Sequence, residues 1–280
     1  MQYGFSIKRK CYLLSVLLMT VWLTGCVQEE FESTPSPAGN GIRFTLTVPD
    51  VNLPSVSSRT MTGTGTAKKE DEIETVDILV FDMSKTPAVF LEWVSATGVT
   101  QDLADNSTVS FSAVLSPTTA STCIVVVANK ELDNIVSGFT KGATTKVEAM
   151  EKMLHTQTGK WLADGSTTGG YTRIPMYGEK VISKITPSMD PITGINMKRM
   201  LVRIDIRNNS ATSNFTVEEV YLANYNTTGY IAPAWNTNGQ VTEPAPDTPV
   251  LPTGSGKMTE EGNAILYSVN GNTLYDGEIY

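Results

Sequence analysis

Strand-length segments in which every second residue is apolar recur along this chain, and that period of two dictates its fold class. In residues 42–48, Ile42, Phe44, Leu46 and Val48 alternate with Arg43, Thr45 and Thr47. A β-strand sends successive side chains to opposite faces, so such a segment buries one face and wets the other. Residues 73–83, 89–95 and 108–115 repeat the pattern, the last with Val109, Phe111 and Ala113 in step. Residues 122–128 are nearly continuous in apolar side chains, as a central strand covered on both faces requires. Further strands are expected at 172–183, 200–207, 215–223, 229–233, 264–269 and 273–280. In 201–206, alternation sets Leu201, Arg203 and Asp205 against Val202, Ile204 and Ile206. Only 145–156 has helical spacing, through Val147, Met150 and Leu154, and His155 reads as a helix C-terminal residue favoured by the dipole. The expected fold class is all-β with one short helix.

The N-terminus carries a targeting signal. Lys8, Arg9 and Lys10 precede a 13-residue apolar stretch from Cys11 to Leu23, too short to span a bilayer but of signal-peptide length. It ends in Leu23-Thr24-Gly25-Cys26, where small residues before a cysteine suit cleavage by lipoprotein signal peptidase. Cleavage between Gly25 and Cys26 would leave the Cys26 thiol to carry the lipid. Processing takes three positive charges away and moves the net charge from −8 to −11. That balance argues against nucleic acid, whose phosphates demand a basic face. Of three cysteines only Cys123 then remains as a thiol, within an apolar strand run. No intramolecular disulfide framework is available, and Cys123 is expected to be a buried small hydrophobe.

Residues 26–40 are polar, acidic and broken by Pro and Gly, which suits a flexible tether. After the first strand, Pro49 and Pro54 break the pattern, and residues 56–66 form a loop of small residues around Arg59. The run 68–72 (KKEDE) reads as a solvated turn. Residues 236–258 hold four prolines and suit a linker or long excursion. The chain reaches Tyr280 within a strand pattern, which reads as an incomplete last element.

No chemistry is legible. One His excludes a multi-histidine metal site. There is no GxGxxG after a strand, P-loop, CxxC, HExxH or GxSxG. The adjacent pairs Glu218-Glu219 and Glu260-Glu261 face opposite ways or into water. The chain is therefore not expected to be an enzyme, and no cofactor or metal is implied beyond the lipid on Cys26. Trp93 suits a strand core. Trp161 and Trp235 lie in loop-like surroundings and are candidates for stacking on sugars.

Together these features resemble the fimbrillin superfamily of type V pili, the FimA-type lipoprotein pilins of anaerobic Gram-negative bacteria. The residues that carry the resemblance are the lipobox ending at Cys26, GIRFTLTV at 41–48, the Ser58-Arg59-Thr60 loop and EIETVDILVFD at 72–82. IVVVANK at 124–130, IPMYG at 174–178 and MLVRIDI at 200–206 complete it. The resemblance spans most of residues 1–235 and implies a transthyretin-like β-sandwich. It divides the chain into a signal peptide (1–25), a tether (26–40) and a first strand with cleavable pro-segment (41–59). An N-terminal sandwich (60–235), a Pro-rich linker (236–258) and the start of a second β domain (259–280) follow.

The resemblance also implies a mechanism. A lipidated precursor reaches the outer membrane, and an arginine-specific protease cuts at Arg59-Thr60. The first strand, with Ile42, Phe44, Leu46 and Val48, then leaves, and a strand from another fimbrial subunit fills the groove. Arg43 is a rival site, but a strand residue resists proteolysis because cleavage needs a locally unfolded segment. The alternative reading is an anchored surface lipoprotein that binds glycans without polymerising.

Overall fold

In the computed structural model the described residues are 41–48, 71–101, 108–157, 161, 173–201, 204–207, 219–223, 225–243, 250–253, 257–258, 265–268 and 276–279. Strands form within the period-two segments, and others form where the spacing did not announce them, among them Thr97–Gln101 and Ile192–Asn196. In chain order they are β1 (Ile42–Thr47), β2 (Val76–Asp82), β3 (Val89–Ser95), β4 (Thr97–Gln101), β5 (Thr108–Ala113) and β6 (Thr122–Ala128). Two helices follow, α1 (Asp133–Val136) and α2 (Lys146–Lys152), then β7 (Leu154–Thr156), β8 (Met176–Ile182), β9 (Ile192–Asn196) and β10 (Lys198–Arg199). The remaining strands are β11 (Ile204–Arg207), β12 (Glu219–Leu222), β13 (Tyr225–Asn226), β14 (Thr228–Tyr230), β15 (Lys257–Met258), β16 (Ile265–Ser268) and β17 (Asp276–Ile279). The all-β expectation holds, with two short helices among the described residues.

Two sheets form the body. One has the order β4-β5-β1-β9, the other β10-β8-β6-β2-β3. Their facing sides share one core, which takes Ile42, Phe44, Leu46, Val109, Phe111 and Ile192 from the first sheet and Ile78, Val80, Ile124, Val126 and Met176 from the second. This is a two-layer β-sandwich. The outer face of the five-stranded sheet is also covered. Leu79, Phe81, Cys123, Val125 and Val127 pack there against α1, α2 and the segment around Ile231. All of β6 is therefore buried, as its continuous apolar run requires. Burial pushes the Cys123 thiol up to about 12, despite the favourable charge of nearby Lys146, so it stays a thiol at ordinary pH.

Close approach between the sheets is set at Gly178 on β8. A Cβ there would stand 2.7 Å from Met197 Sδ and 2.8 Å from Ile195 Cγ2, so only glycine admits β9 at this corner.

The helical expectation for 145–156 is corrected. Thr145 caps α2 through a capping box with Glu148, but the helix ends at Lys152 and Met153 leaves the helical conformation. Leu154–Thr156 instead pair antiparallel with Thr228–Tyr230. His155 is consequently a strand residue, not a helix C-terminal one. Its ring lies 5.0 Å from that of Trp161, and burial, with Lys130 adding to it, lowers its pKa.

Lys146 is a buried charge that sequence reading passed over. Its Nζ donates to Glu179 Oε2 at 2.6 Å and to the Gly239 carbonyl at 2.5 Å. Tyr177 Oη donates to the same Glu179 oxygen at 2.6 Å. Gly239, at φ +75°, lies against the Lys146 stem, and Trp235 bridges to Val241 across this turn. The network ties residues 235–241 to the sandwich. Further along, β11 pairs with β17 and β12 with β16, both antiparallel. These ladders join residues 204–207 to 276–279 and residues 219–222 to 265–268.

Candidate functional site

The site that the fold builds is the slot occupied by β1. Alternation turns Ile42, Phe44, Leu46 and Val48 inward, where each is at most 5% exposed. Arg43 and Thr47 point to solvent and Thr45 is half-buried. On one side β1 runs antiparallel to β5, with Ile42 opposite Ala113, Phe44 opposite Phe111 and Leu46 opposite Val109. On the other it runs parallel to β9, with Phe44 opposite Ile192 and Leu46 opposite Ile195. The ladder extends past the strand end, where Met197 N–H donates to the Thr47 carbonyl at 2.9 Å. The Phe44 and Phe111 rings stack with centroids 5.0 Å apart and planes 7° apart.

An interior strand is rarely dispensable, because its loss strands backbone donors and acceptors on both neighbours. Here that loss would open an apolar groove between β5 and β9, lined by Phe111, Val109, Ile192 and Ile195 and floored by the opposite sheet. A groove of that shape suits another extended segment, taken up by β-augmentation.

The chain is fastened again at residues 71–74. Asp71 pairs with Arg199, and Glu72 with Arg173 at 3.4 Å. Glu74 pairs with Arg173 at 2.6 Å. Gln101 Nε2 donates to the Asp71 carbonyl at 2.7 Å, and Ile73 N–H donates to Gln101 Oε1 at 3.0 Å. Asn129, at φ 58°, donates to the carbonyls of Glu72 and Ile174 and accepts from Glu74 N–H. Asparagine tolerates this left-handed conformation better than most residues. The solvated-turn expectation for 68–72 is thus corrected at Asp71 and Glu72, whose side chains are half-buried and ion-paired. Residues 68–70 lie outside the described residues. Nothing in local spacing announces this clasp, because its arginines stand 101 and 128 residues away. The one sequence signal was the acidic run itself, which lacked local cations to balance it after position 69.

The four expected removable-strand residues, Ile42, Phe44, Leu46 and Val48, are brought together on one buried face. Gly25, Cys26, Arg59 and Thr60 lie outside the described residues. Arg43, the rival cleavage site, sits in a strand bonded on both sides. Trp93 is half-buried against the outer core, as expected of a strand residue. Trp161 is corrected: it is only 7% exposed and packs with Ile174, so it offers no open face to a sugar. Trp235 is half-buried, edge-on to Tyr230 at 4.9 Å, and packs on the outer core. The described residues contain no group of three or more His, Cys, Asp or Glu able to hold a metal ion. Nor does any described helix have the length and apolarity to cross a membrane.

Among solved structures, a fimbrial assembly protein of Parabacteroides distasonis is similar at 12% identity and TM-score 0.37, over 85% of each chain. A candidate cell adhesion protein of the same species is similar at 19% identity and TM-score 0.40, over 86% of this chain and 70% of that one. A candidate polysaccharide binding protein of Bacteroides thetaiotaomicron is similar at 12% identity and TM-score 0.35, over 68% of this chain and 60% of that one. No curated protein matches. The family model described as major fimbrial subunit protein (FimA) matches residues 42–199, from the first residue of β1 to the last of β10. With more than half of its length so matched, this chain belongs to the FimA major fimbrial subunit family.

Proposed function

We propose that this protein is a structural subunit of a surface fimbria, exported with β1 as a removable plug. The precursor is lipidated on Cys26 and held at the outer membrane. An arginine-specific protease cuts at Arg59-Thr60, β1 leaves with the lipid, and a strand from another subunit enters the slot. The subunit thereby joins a fimbrium on the cell surface and contributes to adhesion.

The observation that supports this reading is the place of β1. It comes first in the described chain, yet it sits inside its sheet with neighbours on both sides. An incoming strand with the same alternation restores both ladders and the apolar burial. Four such side chains at ~1.5–3 kcal/mol each contribute on the order of 6–12 kcal/mol before ordering costs. That range suits a long-lived polymer. The clasp at Asp71–Glu74 supports the same reading, since it holds the chain on the far side of Arg59 independently of β1.

The test is mass spectrometry of surface protein exposed to an arginine-specific protease. A product beginning at Thr60, together with an SDS-resistant ladder, is expected. A product that keeps lipidated Cys26 and has no N-terminus at Thr60 would overturn strand release and leave an anchored, non-polymerising lipoprotein.

A further inference from the structure

The slot left by β1 is not uniformly greasy, and its one aromatic position gives it a means of choosing its occupant. Ile42 faces the small Ala113, and Leu46 faces Val109 and Ile195. Only Phe44 meets a ring, that of Phe111, in a near-parallel stack at 5.0 Å. Both rings are almost wholly buried, at 1% and 3% exposure. With β1 gone, the face of Phe111 would be bared to the groove. A branched aliphatic side chain at that position replaces the lost area in part but cannot reproduce the flat stack, whose geometry adds to area burial.

The geometry points to Phe111 as a specificity-determining residue of the groove. It selects, among strands of other fimbrial subunits running in the direction of β1, those that place an aromatic side chain opposite it. The preferred occupant reads aliphatic, aromatic, aliphatic, aliphatic at alternate positions, with small or polar residues between. This deepens the strand-release reading and rests on it. Ala113 adds a second, steric contribution: the position before the aromatic has room for a branched side chain. The sequence Ile42-Arg43-Phe44-Thr45-Leu46-Thr47-Val48 is the imprint from which the rule is read.

The experiment uses the full chain, cut at Arg59-Thr60 by an arginine-specific protease. It measures uptake of fluorescent peptides spanning residues 41–48. The unmodified peptide is compared with its Phe44→Leu form and with Thr45→Ala as an outward-facing control. The expected result is uptake of the unmodified and Thr45→Ala peptides, with Phe44→Leu weaker by about two- to tenfold. In the Phe111→Leu protein that preference should vanish, while in Phe111→Tyr it should persist. The comparison on the unmodified protein needs no variant to fold. Equal uptake of the unmodified and Phe44→Leu peptides would overturn selection by Phe111 and leave the groove reading standing. Failure of every peptide to enter a chain that has been cut and has lost β1 would overturn the groove reading itself, and this inference with it.

Discussion

The two sheets of the sandwich share one core but differ in how their strands are held. In the five-stranded sheet β2 and β3 are sequence neighbours, β6 lies between β2 and β8, and both faces are covered. Every residue of β6 is buried. In the four-stranded sheet the inward faces of β1 and β5 alternate with exposed or half-buried outward faces. Its interior strand β1 is joined to β5 and β9 only by pairings distant in sequence. One sheet is thus a scaffold sealed from two sides, and the other is a single covered layer around a strand whose apolar contacts all lie on one face. The difference teaches how one domain can part with a strand without dissolving, because the second core, on the far side of the scaffold, contains no β1 residue.

The largest effect is expected from charging the scaffold. Val126→Asp places a carboxylate at a fully buried site of β6, among the apolar side chains of the core between the sheets, and should abolish folding outright, read as loss of the cooperative urea transition. By contrast Thr45→Asp, on the outward face of β1, should leave a cooperative transition in place. If both unfold the protein equally, the two sheets do not differ as argued.

Next comes β1 itself. Phe44→Ala should cost about 3–5 kcal/mol in the uncut chain, measured from the urea midpoint and slope. Removal of one side of the Lys146–Glu179 pair follows. Lys146→Ala leaves Glu179 partly buried without its cation, and its 20% side-chain exposure softens the penalty to about 2–3 kcal/mol. Lys146→Ala should also loosen residues 235–241, detectable as faster amide exchange at Val241.

The smallest effect is a pH dependence. Burial lowers the His155 pKa below its usual 6.5, so the unfolded chain binds more protons than the folded one in the window beneath 6.5. The stability contributed by neutral His155 is full above that value and is lost as pH falls through the window toward the lowered folded-state pKa. Urea midpoints at pH 7.5 and 5 should therefore differ more for the native chain than for His155→Gln. Identical pH profiles would remove His155 from the account.

What the sequence made legible follows from range. The period of two in residues 42–48 and 108–113 and the unbroken apolar run at 122–128 each report local burial, and each became the strand it announces. The helix at 145 was legible through Thr145 and Glu148, but its end was not. Leu154 continues the helical spacing, and only its pairing with Tyr230, far along the chain, makes it a strand residue. Trp161 misled because its burial, against His155 and Ile174, is not written in its loop-like surroundings. The acidic run ending in Glu72 looked solvated because Arg173 and Arg199 arrive only when β8 to β10 fold against it. The candidate slot was legible as four alternating residues. That they sit in the middle of a sheet, between one antiparallel and one parallel partner, is a property of topology that periodicity does not carry.

The most direct measurement is hydrogen exchange read by mass spectrometry, on the full chain before and after cutting at Arg59-Thr60. Before the cut, amides of β1 and β6 should both be protected. Afterwards β1 should be lost or exchange freely and the facing edges of β5 and β9 should open, while β6 stays protected. If β1 remains as protected as β6 once Arg59-Thr60 is cut, the strand is a fixed part of the domain and the account of a removable plug fails.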